Sequence, residues 1–391
     1  MKFKFGLLPR IIVAIALGVL IGLIAPEWMV RIFATFSSIF GNFLNFVVPL
    51  IILGFIAPGI AKLGKGSGKL LGLSTAIAYS STIVAGVLAF FAATLILPNF
   101  MEKGVMSGID DPGKSLAKTF IELEMDPAFG VMTALILAFL LGIGMASTGS
   151  KTMISFFDEF QMIIEKTISY VIIPLLPFHI FGIFSNMAYG GAVAEILSLF
   201  AVVFVLIIIL HWFMLLLQYT AAGTLTKKNP LTLLKTMLPA YFTALGTQSS
   251  AATIPVTVAQ ARKTGANERV VDFAVPLFAT IHLSGSTITL VSCSIGVLFL
   301  TGQTPEFSAF LPFILMLGVT MIAAPGVPGG AVMAAIGLLE IMLGFDPTMV
   351  ALMIALYMAQ DSFGTATNVT GDGALAIIVD RFTNGKKASN N

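Results

Sequence analysis

Charge is what this 391-residue chain has least of: Asp, Glu, Lys and Arg together make up 10% of it, against about a quarter in soluble domains. With 57% hydrophobic residues, that shortage excludes an ordinary soluble domain and indicates a polytopic membrane protein. Cysteine is scarcer still. The single Cys293 excludes a disulfide within one chain and any multi-cysteine metal site. Three histidines, His179, His211 and His282, are too scattered for a His-rich metal motif. No basic run with interleaved aromatics occurs, so no nucleic-acid partner is expected. Nor is a cleavable leader: the first apolar run, Leu7 to Ala25, is long enough to span and lacks a small-residue cleavage site.

Long apolar runs are what the chain has in plenty, at about 20 residues per span. The first six are expected at Leu7 to Ala25, Phe36 to Ile60, Leu70 to Leu97, Ala128 to Met145, Met162 to Met187 and Val193 to Tyr219. Lys2, Lys4 and Arg10 precede the first, and Lys62, Lys65 and Lys69 follow the second. By the positive-inside rule the N-terminus is cytoplasmic. The loop from Pro98 to Pro127 carries six acidic residues against three lysines and belongs outside. The chain returns to the cytoplasm at Ser147 to Asp158 and again at Lys227 and Lys228. In this half His179 and His211 are read as hydrogen-bonded core or interface imidazoles, with gating or proton-carrying groups as the alternative.

From Pro230 the pattern changes. Pro230 to Thr264 is interrupted at Gly246 to Thr253, and Val270 to Leu300 at His282 to Ser286. Ser308 to Gly344 is interrupted at Ala324 to Ala331, and Pro347 to Val379 at Asp361 to Asp372. A hairpin followed by a broken helix, occurring twice, is the repeat signature of secondary transporters. The sharpest of these stretches is Asp361-Ser-Phe-Gly-Thr-Ala-Thr-Asn-Val-Thr-Gly-Asp372. A carboxylate at membrane depth costs from about 2.5 kcal/mol upward, which makes it a functional-site candidate. Gly364, Gly371 and Gly373 each cost about 1 kcal/mol in a helix relative to alanine. A partly unwound helix facing a polar solute or a cation is therefore expected.

These residues resemble the dicarboxylate/amino acid:cation symporter family, which includes the glutamate transporters. The likeness is carried by Gln248–Thr257 (QSSAATIPVT), Pro276–Ser286 (PLFATIHLSGS), Gly326–Gly330 (GVPGG) and Asn368–Asp372 (NVTGD), in the family's order. In detail they look most like its serine/threonine transporters. The resemblance implies an all-α fold of eight transmembrane helices and two re-entrant hairpins, arranged as inverted repeats. It also implies a homotrimer in the lipid bilayer, moving an amino-acid substrate by an elevator-like mechanism. On that pattern residues 1–69 are scaffold helices 1 and 2. Residues 70–158 hold helix 3 (transport) and helix 4 (scaffold), 159–229 helix 5 (scaffold) and helix 6 (transport), and 230–391 the core transport domain.

Carried over residue by residue, the resemblance gives Asp361 to the substrate ammonium and Asn368 to its carboxylate, with Thr365 as a further contact. Ser249 and Ser250 match the serine tip of the first hairpin, where helix N-termini favour an anion; simple helix capping is the alternative for both. Gly326, Val327 and Gly329 match the second hairpin's tip. Acidic-substrate members place an arginine where this chain has Gly364, and some place a compensating one where it has Gln248. Glycine cannot supply a bidentate guanidinium, so a small neutral amino acid such as serine, threonine or alanine is expected. An acidic amino acid or dicarboxylate is the alternative.

For the coupling cation, the resemblance gives Asp372 and the Asn368 carbonyl to one sodium site. A second would use backbone carbonyls near Thr280–Leu283 and of the second hairpin, though the family's methionine is Leu283 here. A third is depleted: its aspartate is Ser284 and its asparagine His282, while Tyr79 and Thr82 match and Ile83 does not. Fewer coupled sodium ions are expected than in glutamate transporters. Imidazole changes charge near neutral pH, which brings in a proton as the alternative coupling ion; a plain hydrogen-bonding role for His282 is the expectation. No other cofactor is implied. An intramembrane aspartyl protease would need Asp361 and Asp372 to share a proton, whereas eleven helical positions separate them by ~16 Å. A channel would need a continuous polar path, and the polar groups here cluster instead. The compact chain suggests a prokaryotic inner membrane, with both termini cytoplasmic.

Overall fold

The computed structural model describes residues 7–63, 68–100, 117–121, 123, 125–127, 129–191, 193–322, 324 and 329–384. Among them every regular element is helical. The first half contains α1 (Leu7–Ile24), α2 (Glu27–Leu63), α3 (Gly68–Ile96) and α4 (Val131–Thr148). Next come α5 (Lys151–Thr167), α6 (Ile173–Tyr189) and α7 (Val193–Thr226). The second half contains α8 (Pro230–Thr247), α9 (Ser250–Lys263), α10 (Glu268–Ile281) and α11 (Ser284–Leu300). It ends with α12 (Phe307–Ile322), α13 (Gly330–Leu343) and α14 (Pro347–Asn384). Among the described residues, six helical stretches are long and apolar enough to cross a membrane: Glu27–Pro58, Leu70–Asn99, Lys151–Tyr189, Phe200–Thr226, Glu268–Leu300 and Pro347–Thr383.

Local chemistry explains where these helices start and stop. Asn229, Asn267, Ser249 and Ser150 each accept a backbone N–H from the first turn of α8, α10, α9 and α5, satisfying donors that a helix start leaves free. The expected cytoplasmic loop at Ser147–Asp158 shrinks to Gly149–Ser150, because Gly149 turns with φ +63° and Ser150 caps α5 at once. Between α5 and α6 a π turn at Ile168–Ile172 precedes Pro174. The wider turn accommodates a proline that lacks an amide to donate and whose ring crowds the carbonyl one turn back.

Close helix approach relies on small residues, as is usual where lipid supplies no hydrophobic drive between helices. A Cβ on Gly18 of α1 would lie 2.7 Å from the Phe181 carbonyl oxygen of α6, and one on Gly142 of α4 would lie 2.9 Å from that of Ala57 in α2. Two apolar cores result. One gathers α2 through α7, α11 to α13 and the first part of α14 as far as Met358. The other gathers α7 to α10 with α14 from Ala366 onward. The polar stretch of α14 lies where they meet.

One expectation is corrected here. α14 is an unbroken helix from Pro347 to Asn384, so Asp361–Asp372 is not unwound. The glycines are instead sites of contact. A Cβ on Gly371 would lie 2.5 Å from Gln218 Oε1, and one on Gly373 would lie 2.9 Å from the Tyr219 hydroxyl. The carbonyl oxygen of Gly364 is itself the close neighbour of Gly285. Packing against α7, α8 and α11 offsets the intrinsic cost of glycine. The other expected break is present: between α10 and α11, His282 and Leu283 leave the helical conformation.

Candidate functional site

Residues 357, 361, 365, 368 and 372 recur at three- and four-residue steps, so they share one face of α14. Four of them, Tyr357, Asp361, Thr365 and Asn368, line a narrow cavity of about 30 Å³, room for one or two waters. The facing wall comes from both hairpins and from the α10–α11 break. Gln248 and Ser250 belong to the α8–α9 turn, Leu283 and Ser286 to the break, and Ala324 and Ala331 to the second hairpin. Gln248 turns the chain with φ +54°, which brings the start of α9 to the cavity. The side chains that the sequence scatters over more than a hundred residues therefore converge.

Asp361 is 6% exposed, and its Oδ2 accepts the Gly329 N–H at 2.8 Å. The second hairpin's tip thus holds the carboxylate through its backbone. Gly326 and Val327, expected at that tip, lie outside the described residues. Asn368 is committed on both sides of its amide. Oδ1 accepts Gly285 N–H at 2.7 Å and Ser286 N–H at 3.4 Å, and Nδ2 donates to the Ser286 hydroxyl at 3.0 Å. α11 has no side-chain cap of its own, and Asn368 supplies one from the neighbouring helix. Ser249 caps α9, accepting Ala252 N–H at 3.3 Å, so the capping reading holds for it, while Ser250 faces the cavity. At Gly364 the nearest atom to an added Cβ is the Ser286 nitrogen at 3.5 Å, an ordinary contact.

A second polar cluster lies deeper along the same helix. Since α14 is continuous, Asp372 sits ~16 Å beyond Asp361 along the axis, which rules out a shared proton. Asp372 and His282 are fully buried, with His282 Nδ1 2.9 Å from Asp372 Oδ1. The other ring nitrogen lies 3.0 Å from the Ser81 hydroxyl and 3.4 Å from Gln218 Nε2. Gln218 also donates to Ser81 at 2.9 Å and to Ser284 at 3.3 Å. Beside this network, Tyr219 donates to the Thr370 carbonyl at 2.7 Å. Asp372 Oδ2, Gln218 Oε1 and the Thr370 hydroxyl are buried with no hydrogen-bond partner among the described residues.

Among the expected cation residues, His282, Ser284 and Asp372 come together in this cluster. Tyr79 and Thr82 turn elsewhere: Tyr79 donates to the Leu315 carbonyl at 3.2 Å, and Thr82 back to Ala78 of its own helix at 3.0 Å. Ser81, between them in sequence, is the residue that reaches His282. Gln218 and Ser81 were not singled out from the sequence. A glutamine directly after Leu215–Leu217 was the available signal for the first; nothing distinguished the second. His211 proves hydrogen-bonded, at 3.0 Å from the Gly285 carbonyl. His179 is buried against Phe40, ring centroids 5.0 Å apart, and against expectation its ring Nδ1 has no hydrogen-bond partner among the described residues.

The chain is similar to known proteins over most of its length. A family model described as the sodium:dicarboxylate symporter family matches residues 7–382. A serine/threonine transporter SstT of Streptococcus suis is 27% identical over 341 residues, covering 84% of this chain and 93% of its own. The protein of the same name from Acinetobacter baylyi is 26% identical over 396 residues, covering 97% and 98%. A third, from Streptococcus agalactiae, is 24% identical over 400 residues and covers 98% of each.

Proposed function

We propose that this chain, which belongs to the sodium:dicarboxylate symporter family, is a symporter that takes up a small neutral amino acid of the serine, threonine or alanine type together with sodium. It is a transporter, not an enzyme. The observation that carries the substrate class is the charge of the cavity: Asp361 is its one charged side chain among the described residues. A zwitterion needs one anion for its ammonium, and its carboxylate is served by hydrogen-bond donors. A second substrate carboxylate would face Gly364 and no cation. The relatives named as serine/threonine transporters agree with this reading.

In this account Asp361 holds the ammonium. Asn368, Thr365 and Ser250, with the N-terminal amides of α9, receive the carboxylate. The cavity is smaller than an amino acid, so entry requires the hairpin tips to part, with Gly326, Val327 and Gly329 as the gate. Releasing Gly329 from Asp361 is the step that frees the carboxylate for its ligand. Sodium, as co-transported cargo, suits oxygen ligands. Asp372 Oδ2, buried and unpartnered, is the natural first donor; the Asn368 carbonyl, expected beside it, is taken up by the unbroken helix and joins only if the helix opens there. His282 acts as a hydrogen-bonding bracket that orients Asp372, with Ser284 as part of the same bracket.

The wider architecture proposed is eight spans and two re-entrant hairpins, with both termini cytoplasmic, in a bacterial inner membrane. α1, α2, α4 and α5–α6 form a scaffold, and α3 and α7 to α14 a transport domain that moves as an elevator within a homotrimer. Within the proposed units α1 lies on α6 and α2 on α4, while α14 lies on α7, α8, α10 and α11; the first apolar core runs across both units. An acidic substrate is the second reading, favoured by the family's description and by Gln248 at the cavity. The deciding experiment is uptake of labelled serine into proteoliposomes with unlabelled competitors. Threonine and alanine compete and aspartate does not; competition by aspartate alone would reverse the assignment.

A further inference from the structure

Tyr357 is the cavity side chain that this scheme leaves without a task. It is fully buried, it lines the cavity with Asp361, and its hydroxyl has no hydrogen-bond partner among the described residues. The Ser286 hydroxyl and the Asp361 carboxylate are its nearest polar neighbours, and neither makes a regular hydrogen bond with it. A buried phenol normally finds a partner, and an unsatisfied buried polar group is costly. Its neighbours are already engaged. Asp361 accepts from Gly329, and Asn368 holds Gly285 and Ser286 with one amide N–H to spare.

Position adds to this. Tyr357 lies one helical turn before Asp361 on the same face, whereas Asn368 lies two turns after it. An α-amino acid whose ammonium sits at Asp361 and whose carboxylate points toward Asn368 has one group left to satisfy. The Tyr357 hydroxyl is an uncommitted polar group next to the ammonium anchor. We propose that it receives the side-chain hydroxyl of the substrate, so that the site prefers β-hydroxy amino acids to alanine. Phenol and alcohol can each donate or accept, so one hydrogen bond satisfies both. A site built to pair with a hydroxyl disfavours the analogue that lacks it. This inference rests on the amino-acid reading of the cavity and deepens it.

The test is a competition panel on the full chain in proteoliposomes, with labelled serine and labelled alanine as separate reporters. In the wild type, 2-aminobutyrate, which replaces the serine hydroxyl with a methyl group, competes about tenfold less well than serine, the scale of one neutral hydrogen bond. In Tyr357→Phe the serine-to-alanine affinity ratio falls by a similar factor. An unchanged ratio overturns the inference. So does an equal loss for serine and alanine, which would make Tyr357 a support for Asp361 alone. Equal competition by serine and 2-aminobutyrate in the wild type overturns it without reliance on any variant. If the wild type transports neither serine nor alanine, the amino-acid reading itself fails, and this inference with it.

Discussion

Asp361 and Asp372 lie on one face of one helix and are held in opposite ways. Asp361 faces a cavity, where it accepts a backbone N–H from a hairpin tip beside the Tyr357 hydroxyl. Asp372 is sealed, with one oxygen on the His282 imidazole, which is braced in turn by Ser81 and Gln218. A carboxylate held by the N–H of a neighbouring turn can exchange that partner for an ammonium. A carboxylate locked to a braced imidazole presents its second oxygen in a set direction, which suits a cation more than an organic ligand. The same residue type thus serves two tasks, according to what packs around it.

The largest effect that separates the two sites is expected at Asp361. Asp361→Asn removes the counter-ion for the substrate ammonium and costs roughly 2–5 kcal/mol of serine binding, read by calorimetry on the purified protein. Asp372→Asn leaves the amino-acid cavity intact and raises the sodium concentration needed for half-maximal serine uptake by about tenfold, the scale of losing one charged cation ligand. Should both variants lose serine binding equally at saturating sodium, the separation of tasks would be wrong. Gly364→Arg comes next. Its Cβ has room, and a guanidinium there should improve competition by aspartate about tenfold through a charge-assisted pair; no gain would count against the charge argument for a neutral substrate. The smallest effect is expected from Ser81→Ala. It removes one brace from His282 and lowers stability by about 1 kcal/mol, seen as a modest fall in melting temperature with the serine-to-aspartate preference unchanged.

How much of this was legible before the structure depended on the range of the interactions involved. The turn at Gln248–Ser249 and the break at His282–Leu283 follow from short stretches of small and polar residues, and both are found. The expectation of unwinding after Asp361 failed because it weighed glycine by its behaviour in an isolated helix. In the folded chain Gly371 and Gly373 are where Gln218 and Tyr219 press against α14, and tertiary contact overrides propensity. The Asp372 cluster was half legible. His282 and Ser284 stand out beside it by type, whereas Ser81 and Gln218 reach it from helices far away in sequence. Tyr357 escaped notice because an aromatic residue within the run Val350–Met358 looks like core. Only its unpartnered hydroxyl at the cavity distinguishes it.

The most direct test of the account is calorimetric titration of the purified protein with serine, once in sodium buffer and once with choline replacing sodium. The account predicts serine binding in sodium that is lost in choline, with no heat from aspartate in either. Aspartate binding in sodium without serine binding would contradict it, and so would serine binding indifferent to the cation.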